Sequence, residues 1–277
     1  MIFRVGVESS VGIGAAQGGR SRNEDNYLIA TDGQARWREE DPLPAQPWNG
    51  PGLMVAVADG MGGHADGHLA SLHAVRAVAA WPVDQVEGGL EGLLHRWMIE
   101  SHHEIRATMV WPIQMGTTLV VGWIKDQALS WCHVGDSRMY VLRKGMLHLI
   151  TRDHTRAEFA ERDKRPSRAH PQLLSQNFIF GSRGLGNDAG LRIDKGVDTG
   201  TIRLEPGDRI VLCSDGVSSW VEEAELGLVL AQAGDPQAAA AAIVHQAMTA
   251  NSDDNLTAVV VFVEHDGMKP GGTIIPT

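Results

Sequence analysis

Met54-Val55-Ala56-Val57-Ala58-Asp59-Gly60-Met61-Gly62-Gly63-His64 is the stretch from which the rest of the chain can be read. An apolar run without polar alternation predicts a strand buried on both faces. It stops at Asp59-Gly60, passes into a Gly-rich turn, and is followed by helical spacing. An Asp placed where a strand leaves the core can aim its carboxylate into a site, and Gly60 permits close backbone approach or an unusual φ. The same grammar recurs at Ile210-Val211-Leu212-Cys213-Ser214-Asp215-Gly216 and at Leu129-Ser130-Trp131-Cys132-His133-Val134-Gly135-Asp136-Ser137. If those strand ends meet, Asp59, Asp136 and Asp215 crowd into one cleft. Crowded carboxylates repel at neutral pH unless a cation sits among them. An oxygen-only donor set suits Mg²⁺ or Mn²⁺.

Outward from these strands, the chain alternates between sheet and helix patterns. Ile2, Phe3, Val5 and Val7 open a strand, and Gly12 to Gly19 is a Gly-rich bend before Arg20-Ser21-Arg22-Asn23-Glu24-Asp25-Asn26 and a short strand, Tyr27 to Ala30. Residues 32–52, with Pro42, Pro44, Pro47 and Pro51, read as a surface loop. Leu69, Leu72, Val75 and Val78 fall at helical spacing, as do Leu90, Leu93, Leu94, Trp97, Met98 and Ile105. Thr117 to Ile124, Ala128 to Val134, Arg138 to Leu142 and Met146 to Ile150 form an antiparallel meander with turns at Lys125-Asp126 and Lys144-Gly145. Residues 152–170 are densely charged. Two helices follow the Ile210 strand, roughly Val221 to Ala233 and Pro236 to Ala250, the second with Asp235 as N-cap, Pro236 at N1 and Asn251 just past its end. Thr257 to Val263 is the last strand. Strands in runs and helices in pairs indicate α+β architecture around one β core.

Composition narrows the function. The 277 residues allow one large domain or two small ones, and a net charge of −10 argues against nucleic acid or an anionic membrane as partner. Cys132 and Cys213 both fall in strand patterns, too sparse for a disulfide framework or a thiolate zinc site. No apolar run approaches the roughly 20 residues of a membrane span, and Met1 to Ser10 lacks a signal-peptide pattern. A soluble cytoplasmic protein is expected, without nucleic-acid or membrane partners.

Taken together, Arg20-x-x-Asn23-Glu24-Asp25, Asp59-Gly60-Met61-Gly62-Gly63-His64, Gly116-Thr117-Thr118, Gly135-Asp136-Ser137-Arg138, Asp153-His154, Arg183-Gly184-Leu185-Gly186, Gly207-Asp208, Ser214-Asp215-Gly216 and Asp254-Asn255-Leu256-Thr257 occur in one order from residue 20 to 257. In this the chain resembles the bacterial metal-dependent serine/threonine protein phosphatases of the protein phosphatase 2C (PPM) family. The resemblance implies an αββα sandwich of two mostly antiparallel sheets flanked by helix pairs, spanning 1–264, with a flap over roughly 152–190 and a loose tail over 265–277. It implies two Mn²⁺ or Mg²⁺ ions: Asp59 bridging both, the Gly60 carbonyl and Glu24 on one with Asp25 beside them, and Asp215 and Asp254 on the other. Asp136 is the implied ligand of a weak third ion, and Arg20 the residue that grips phosphate. His64 is either the general acid for the leaving alkoxide or a hydrogen-bonding residue at a helix start, and His154 is read as structural. The implied substrate is a phosphorylated protein, opposing a serine/threonine kinase, and a monomer is expected.

Two rival readings fit some of the residues. Cys132 to Arg138 matches Cys-x5-Arg, the loop of cysteine phosphatases, but that loop must open onto a helix N-terminus, whereas Met139-Tyr140-Val141-Leu142 continues as a strand. A pseudophosphatase that binds a partner without turnover draws support from Ser219, which stands where the family usually has a second Asp for the third ion. On the metal reading, Cys132→Ser retains most p-nitrophenyl phosphate hydrolysis while Asp59→Asn and Asp215→Asn lose nearly all. The opposite ranking would restore the cysteine mechanism.

Overall fold

The computed structural model describes residues 1–38, 46–47, 50–61, 67–83, 91–108, 116–155 and 196–265. Its strands are β1 (Ile2–Ser10), β2 (Asp25–Thr31), β3 (Gln34–Arg36), β4 (Gln46–Pro47), β5 (Leu53–Met61), β6 (Gly116–Thr117), β7 (Leu119–Lys125), β8 (Ala128–Val134), β9 (Arg138–Arg143), β10 (Met146–Leu149), β11 (Asp198–Arg203), β12 (Arg209–Cys213) and β13 (Leu256–Glu264). The helices are α1 (Gly67–Ala79), α2 (Glu91–Thr108), the one-turn α3 (Asp215–Ser218), α4 (Glu223–Gln232) and α5 (Pro236–Thr249).

Two sheets form, one in the order β1-β13-β12-β9-β10 and the other in the order β11-β8-β7-β5-β2-β3-β4, with β6 attached to β5. Every ladder among the described residues is antiparallel. Strand periodicity sorts the apolar residues into three cores. On β5, Met54, Ala56 and Ala58 face α1 and α2, where small residues let a helix approach, while Val55 and Val57 face the other sheet. On β12, Val211 and Cys213 face α4 and α5, while Ile210 and Leu212 meet the β5 side. The layers therefore run helix pair, sheet, sheet, helix pair: the αββα sandwich. The unbroken apolar runs in the sequence follow from this, because both faces of the central strands are covered.

Several expected boundaries move. The strand expected at Tyr27 begins at Asp25, because Asp25 pairs directly across from Asp59 on β5. The strand expected from Thr117 to Ile124 is broken at Thr118, whose backbone and hydroxyl turn to Asp59. The surface-loop reading of 32–52 is corrected at its start, where β3 extends the β2 edge and buries Trp37 and Arg38. The α5 cap is as expected: Asp235 Oδ1 accepts from the Ala238 N–H at 2.9 Å, and Asn251 has a φ of 66°. Residues 156–195, most of the expected flap, lie outside the described residues, as do His64, Arg183 to Gly186 and the tail from 266.

β1, an edge strand, is closed off by α5. The Gln237 side chain accepts from the Val7 N–H at 3.0 Å and donates to the Val7 carbonyl at 2.8 Å, standing in for a neighbouring strand. Gly6 makes this approach possible, since a Cβ there would lie 2.3 Å from the Gln237 nitrogen. Gly6→Ala is expected to cost about 1–3 kcal/mol through overpacking against backbone. A thermal unfolding midpoint equal to that of the native chain would show that α5 does not press on β1.

Candidate active site

The expected carboxylates come together at one end of the central strands. Asp59 on β5 and Asp25 on β2 are cross-strand partners. Asp215 opens α3 at the end of β12, Asp136 follows β8, and Asp254 precedes β13. A cleft of about 520 Å³ is lined by Asp136, Asp215 and Asp254, with Ser219, Trp220 and Asp253 at its wall. Arg20 stands at the rim with more than half of its side chain exposed, donating to Asp254 Oδ2 at 2.8 Å. That bond, with the nearby charges of Asp59 and Asp215, raises the Arg20 pKa against the opposing effect of burial.

Glu24 is held by its backbone. Its N–H donates to Asn255 Oδ1 at 2.8 Å, and its carbonyl accepts from the Ser71 hydroxyl at 2.6 Å and the Gly60 N–H at 3.2 Å. Its carboxylate lies against Gly67, the first residue of α1, where a Cβ would stand 2.5 Å from Glu24 Oε2. Gly60 is required for close approach rather than for unusual φ: a Cβ there would meet the Gly67 and Glu24 carbonyls at 2.2 and 2.6 Å.

Asp59 is fixed more tightly still. Its N–H donates to Thr118 Oγ1 at 3.0 Å, and its carbonyl accepts from the Thr118 N–H and the Thr117 hydroxyl, each at 2.9 Å. Thr118 is in turn bonded to the Ser137 hydroxyl at 2.6 Å, which links the Asp59 strand to the Asp136 turn. Gly116-Thr117-Thr118 is thus a clamp on the Asp59 backbone.

These groups bear the electrostatic signature of crowding. Burial, then the charges of Asp25, Asp215 and Asp136, hold the Asp59 carboxyl well above the ordinary carboxylate range. Asp25, fully buried, is raised to about 7, chiefly by desolvation and against the hydrogen bond from Ser214. Asp136 is raised to about 8 by burial, then by Asp215 and Asp153, and burial raises Asp215 too. Asp59 and Asp215 act directly on each other, Asp215 raising Asp59 and Asp59 lowering Asp215. Asp25 Oδ1 and Asp215 Oδ1 are buried with no hydrogen-bond partner. Carboxyls crowded without a counter-charge, two of them with an unpartnered buried oxygen, fit a hard divalent cation.

Four supporting residues have roles that the sequence left unassigned. Arg38 donates from one Nη to the Asn23 and Asp25 carbonyls at 2.8 and 2.7 Å, tying down the segment that carries Glu24 and Asp25. Ser214 donates to Asp25 Oδ2 at 2.7 Å while accepting from the Thr257 N–H. Asn255 bonds the Glu24 N–H and the Arg22 carbonyl, and Asn23 Oδ1 accepts from the Asp25 N–H. Asn23, Ser214 and Asn255 flank predicted ligands in the sequence, a signal that adjacency alone offered. Arg38 carries no such signal.

The cysteine reading fails on position. Cys132 is fully buried in β8 and its thiol is pushed up by desolvation, while Arg138 is committed to Asp153 through two bonds of 2.9 and 2.8 Å. Ser219 ends α3, its N–H donating to the Asp215 carbonyl at 2.8 Å.

Solved bacterial serine/threonine phosphatases share this fold. The structure of the Mycobacterium tuberculosis serine/threonine phosphatase PstP/Ppp matches with a TM-score of 0.73 and 28% identity, over 96% of this chain and all of that one. The PstP catalytic domain in complex with two manganese ions matches with a TM-score of 0.71 and 27% identity, over 95% and 99%. The serine/threonine phosphatase Stp of Listeria innocua is 30% identical over 264 residues, covering 91% of this chain and 94% of that protein. The family model described as protein phosphatase 2C matches residues 34–259. The chain belongs to the protein phosphatase 2C family.

The raised carboxyls give the cation-free protein a definite pH dependence. Folded Asp25 and Asp136 titrate near 7 and 8 against 3.8 when unfolded, so the folded state binds more protons between those values. Their contribution to stability is complete below about pH 4 and is lost as pH rises through 7 to 8. In EDTA, the thermal midpoint is expected to fall by several degrees between pH 5.5 and 8.5, and saturating Mn²⁺ to flatten that fall. A midpoint in EDTA that rises over this range would contradict the assignment.

Proposed function

We infer that the chain is a metal-dependent protein serine/threonine phosphatase, hydrolysing phosphoserine and phosphothreonine on proteins by direct attack of water, without a covalent phosphoenzyme. The observation that carries this is the convergence of Asp25, Asp59, Asp136, Asp215 and Asp254, with Arg20 at the rim of the same cleft. The names of the relatives favour the enzyme over a pseudophosphatase that merely binds phosphoproteins.

On this reading Asp59, with Asp215 and Asp254 to one side and Glu24 and the Gly60 carbonyl to the other, would hold two divalent ions, Mn²⁺ or Mg²⁺. Asp25 stands beside them, its bond from Ser214 orienting the carboxylate. Cations bound there would neutralise the cluster and supply a water acidic enough to attack at neutral pH. The chain's own residues do the positioning, which dominates phosphoryl transfer. Arg20 presents a planar fork suited to two phosphate oxygens, and its bond to Asp254 holds that fork at the cleft before substrate arrives. The Thr117–Thr118 clamp keeps the Asp59 carboxylate from retreating from its like-charged neighbours. His64, which lies outside the described residues, is read as the acid that protonates the leaving serine or threonine oxygen. The physiological partners on this reading are a phosphorylated protein and an opposing serine/threonine kinase, with the enzyme a cytoplasmic monomer.

Asp136 is read as the ligand of a weak third ion. Ser219 lines the same cleft, and a neutral hydroxyl there is a poor donor to a hard dication. Activity is expected to vanish in EDTA and return with Mn²⁺ or Mg²⁺, and Ser219→Asp to lower the Mn²⁺ concentration for half-maximal rate. Asp136→Ala should then cost more in the Ser219→Asp background than in the native one. A titration of initial rate in the four proteins tests both: full rate in excess chelator would overturn the metal mechanism, and coincident midpoints would separate Ser219 from the third ion.

A further inference from the structure

A second group of side chains able to bind metal meets where β8, β11 and the segment after β10 come together. His133 on β8 stands directly opposite Asp198 on β11 in the ladder. His154, in the segment after β10, completes the group. One ligand atom from each of the three lies within 4.8 Å of the other two. His154 Nε2 is 3.2 Å from Asp198 Oδ2, and the His133 and His154 ring centroids are 4.5 Å apart. His133 is fully buried, and neither of its ring nitrogens has a hydrogen-bond partner. An imidazole taken out of water normally finds a partner for each nitrogen. Here neither makes a hydrogen bond of ordinary geometry, although the Gly135 and Ser137 backbone acts on the ring, and two other donors stand beside it.

We propose that His133, His154 and Asp198 form a second metal site, for a borderline transition-metal dication of the zinc class, separate from the carboxylate cluster. Donor type divides the two sites. Two imidazoles and a carboxylate are a zinc set, with a fourth position left for water, whereas all-oxygen ligands suit Mg²⁺ and Mn²⁺. Spacing agrees: the 3.2 Å between His154 and Asp198 is close to the edge of about 3.3 Å that Zn–N and Zn–O bonds of about 2.0–2.1 Å give a tetrahedron. His133 is neutral as ligation requires, burial and then His154 having pushed it down to about 3. Asp198, with a side chain 39% exposed, offers the entry from solvent.

Ligation also has a local consequence. His154 Nδ1 accepts from the Gly135 N–H at 3.2 Å, so the neutral ring carries its proton on Nε2, toward Asp198. A metal taken by Nε2 moves that proton to Nδ1 of the same ring, with no net proton release, and the Gly135 N–H loses its acceptor. The second site therefore reports on the turn that carries Asp136.

Cobalt(II) separates the sites by spectrum, since four-coordinate nitrogen-containing sites absorb visible light far more strongly than six-coordinate oxygen sites. The full chain, stripped with chelator and loaded with Mn²⁺ at the carboxylate cluster, is titrated with Co²⁺. An intense visible band saturating at one equivalent, and bleached by one equivalent of Zn²⁺, is expected. In His133→Asn and Asp198→Asn the half-saturating Co²⁺ concentration should rise at least about tenfold, the lower end of what even an outer-shell partner contributes. Mn²⁺-dependent hydrolysis should persist in both. Asp198→Asn keeps the size of a partly exposed side chain and so tests the site even if His133→Asn does not fold. Absence of an intense band in the native chain, or a band titrating identically in Asp198→Asn, would overturn the proposal, whatever the result for the phosphatase reaction.

Discussion

The governing constraint is the repulsion among carboxylates that the fold holds in a confined, mostly buried place. Left alone, such groups would turn toward solvent, and the structure is arranged to prevent it. Asp59 has its N–H and carbonyl both engaged by the Thr117–Thr118 segment. Asp25 is locked into a ladder across from Asp59 and is further held through Arg38 and Ser214. Asp215 is the first residue of a one-turn helix, and its carbonyl accepts from the Ser219 N–H. The scaffold opposes the electrostatics, and protons or cations settle the difference.

The layered fold explains how such opposition is sustained. Both sheets are covered on their outer faces by helices and packed on each other inside, so the central strands that deliver Asp59 and Asp215 are anchored along their whole length. A strand buried on both sides cannot shift register without turning its alternating residues into the wrong core. On β5 that would exchange the small residues under α1 for the valines between the sheets. Rigidity at the carboxylate end is thus a property of packing far from it.

Much of this was legible in the sequence for a physical reason: burial on two faces writes an unbroken apolar run, and the exit from the core writes Asp-Gly. The Asp235 cap and the Lys144–Gly145 turn were legible because their determinants are local; the turn expected at Lys125–Asp126 falls one residue later, at Asp126–Gln127, with Lys125 closing β7. Arg38 was not, since its role lies in carbonyls 13 and 15 residues away that no pattern marks. Ser214 reaches Asp25 across 189 residues, and its position beside a predicted ligand did not reveal which way its hydroxyl points. The break at Thr118 was hidden for a related reason. β-branched Thr fits a strand as well as a clamp, and only the arrival of Asp59 decides between them. Asp25 appeared in the sequence as one of a pair of acids before a strand. It lies inside the strand, fully buried, which neither charge nor spacing announces.

The raised carboxyls of Asp25, Asp59 and Asp136 have a further consequence. A dication entering the cluster competes with protons for the same oxygens. Metal uptake in this protein is therefore an exchange reaction, in which cation affinity rises steeply as the medium becomes alkaline and falls as it acidifies. On the proposed metal reading, occupancy of the cluster becomes a joint function of pH and cation concentration, and calorimetry in buffers of different ionisation enthalpy would count the protons exchanged for each ion.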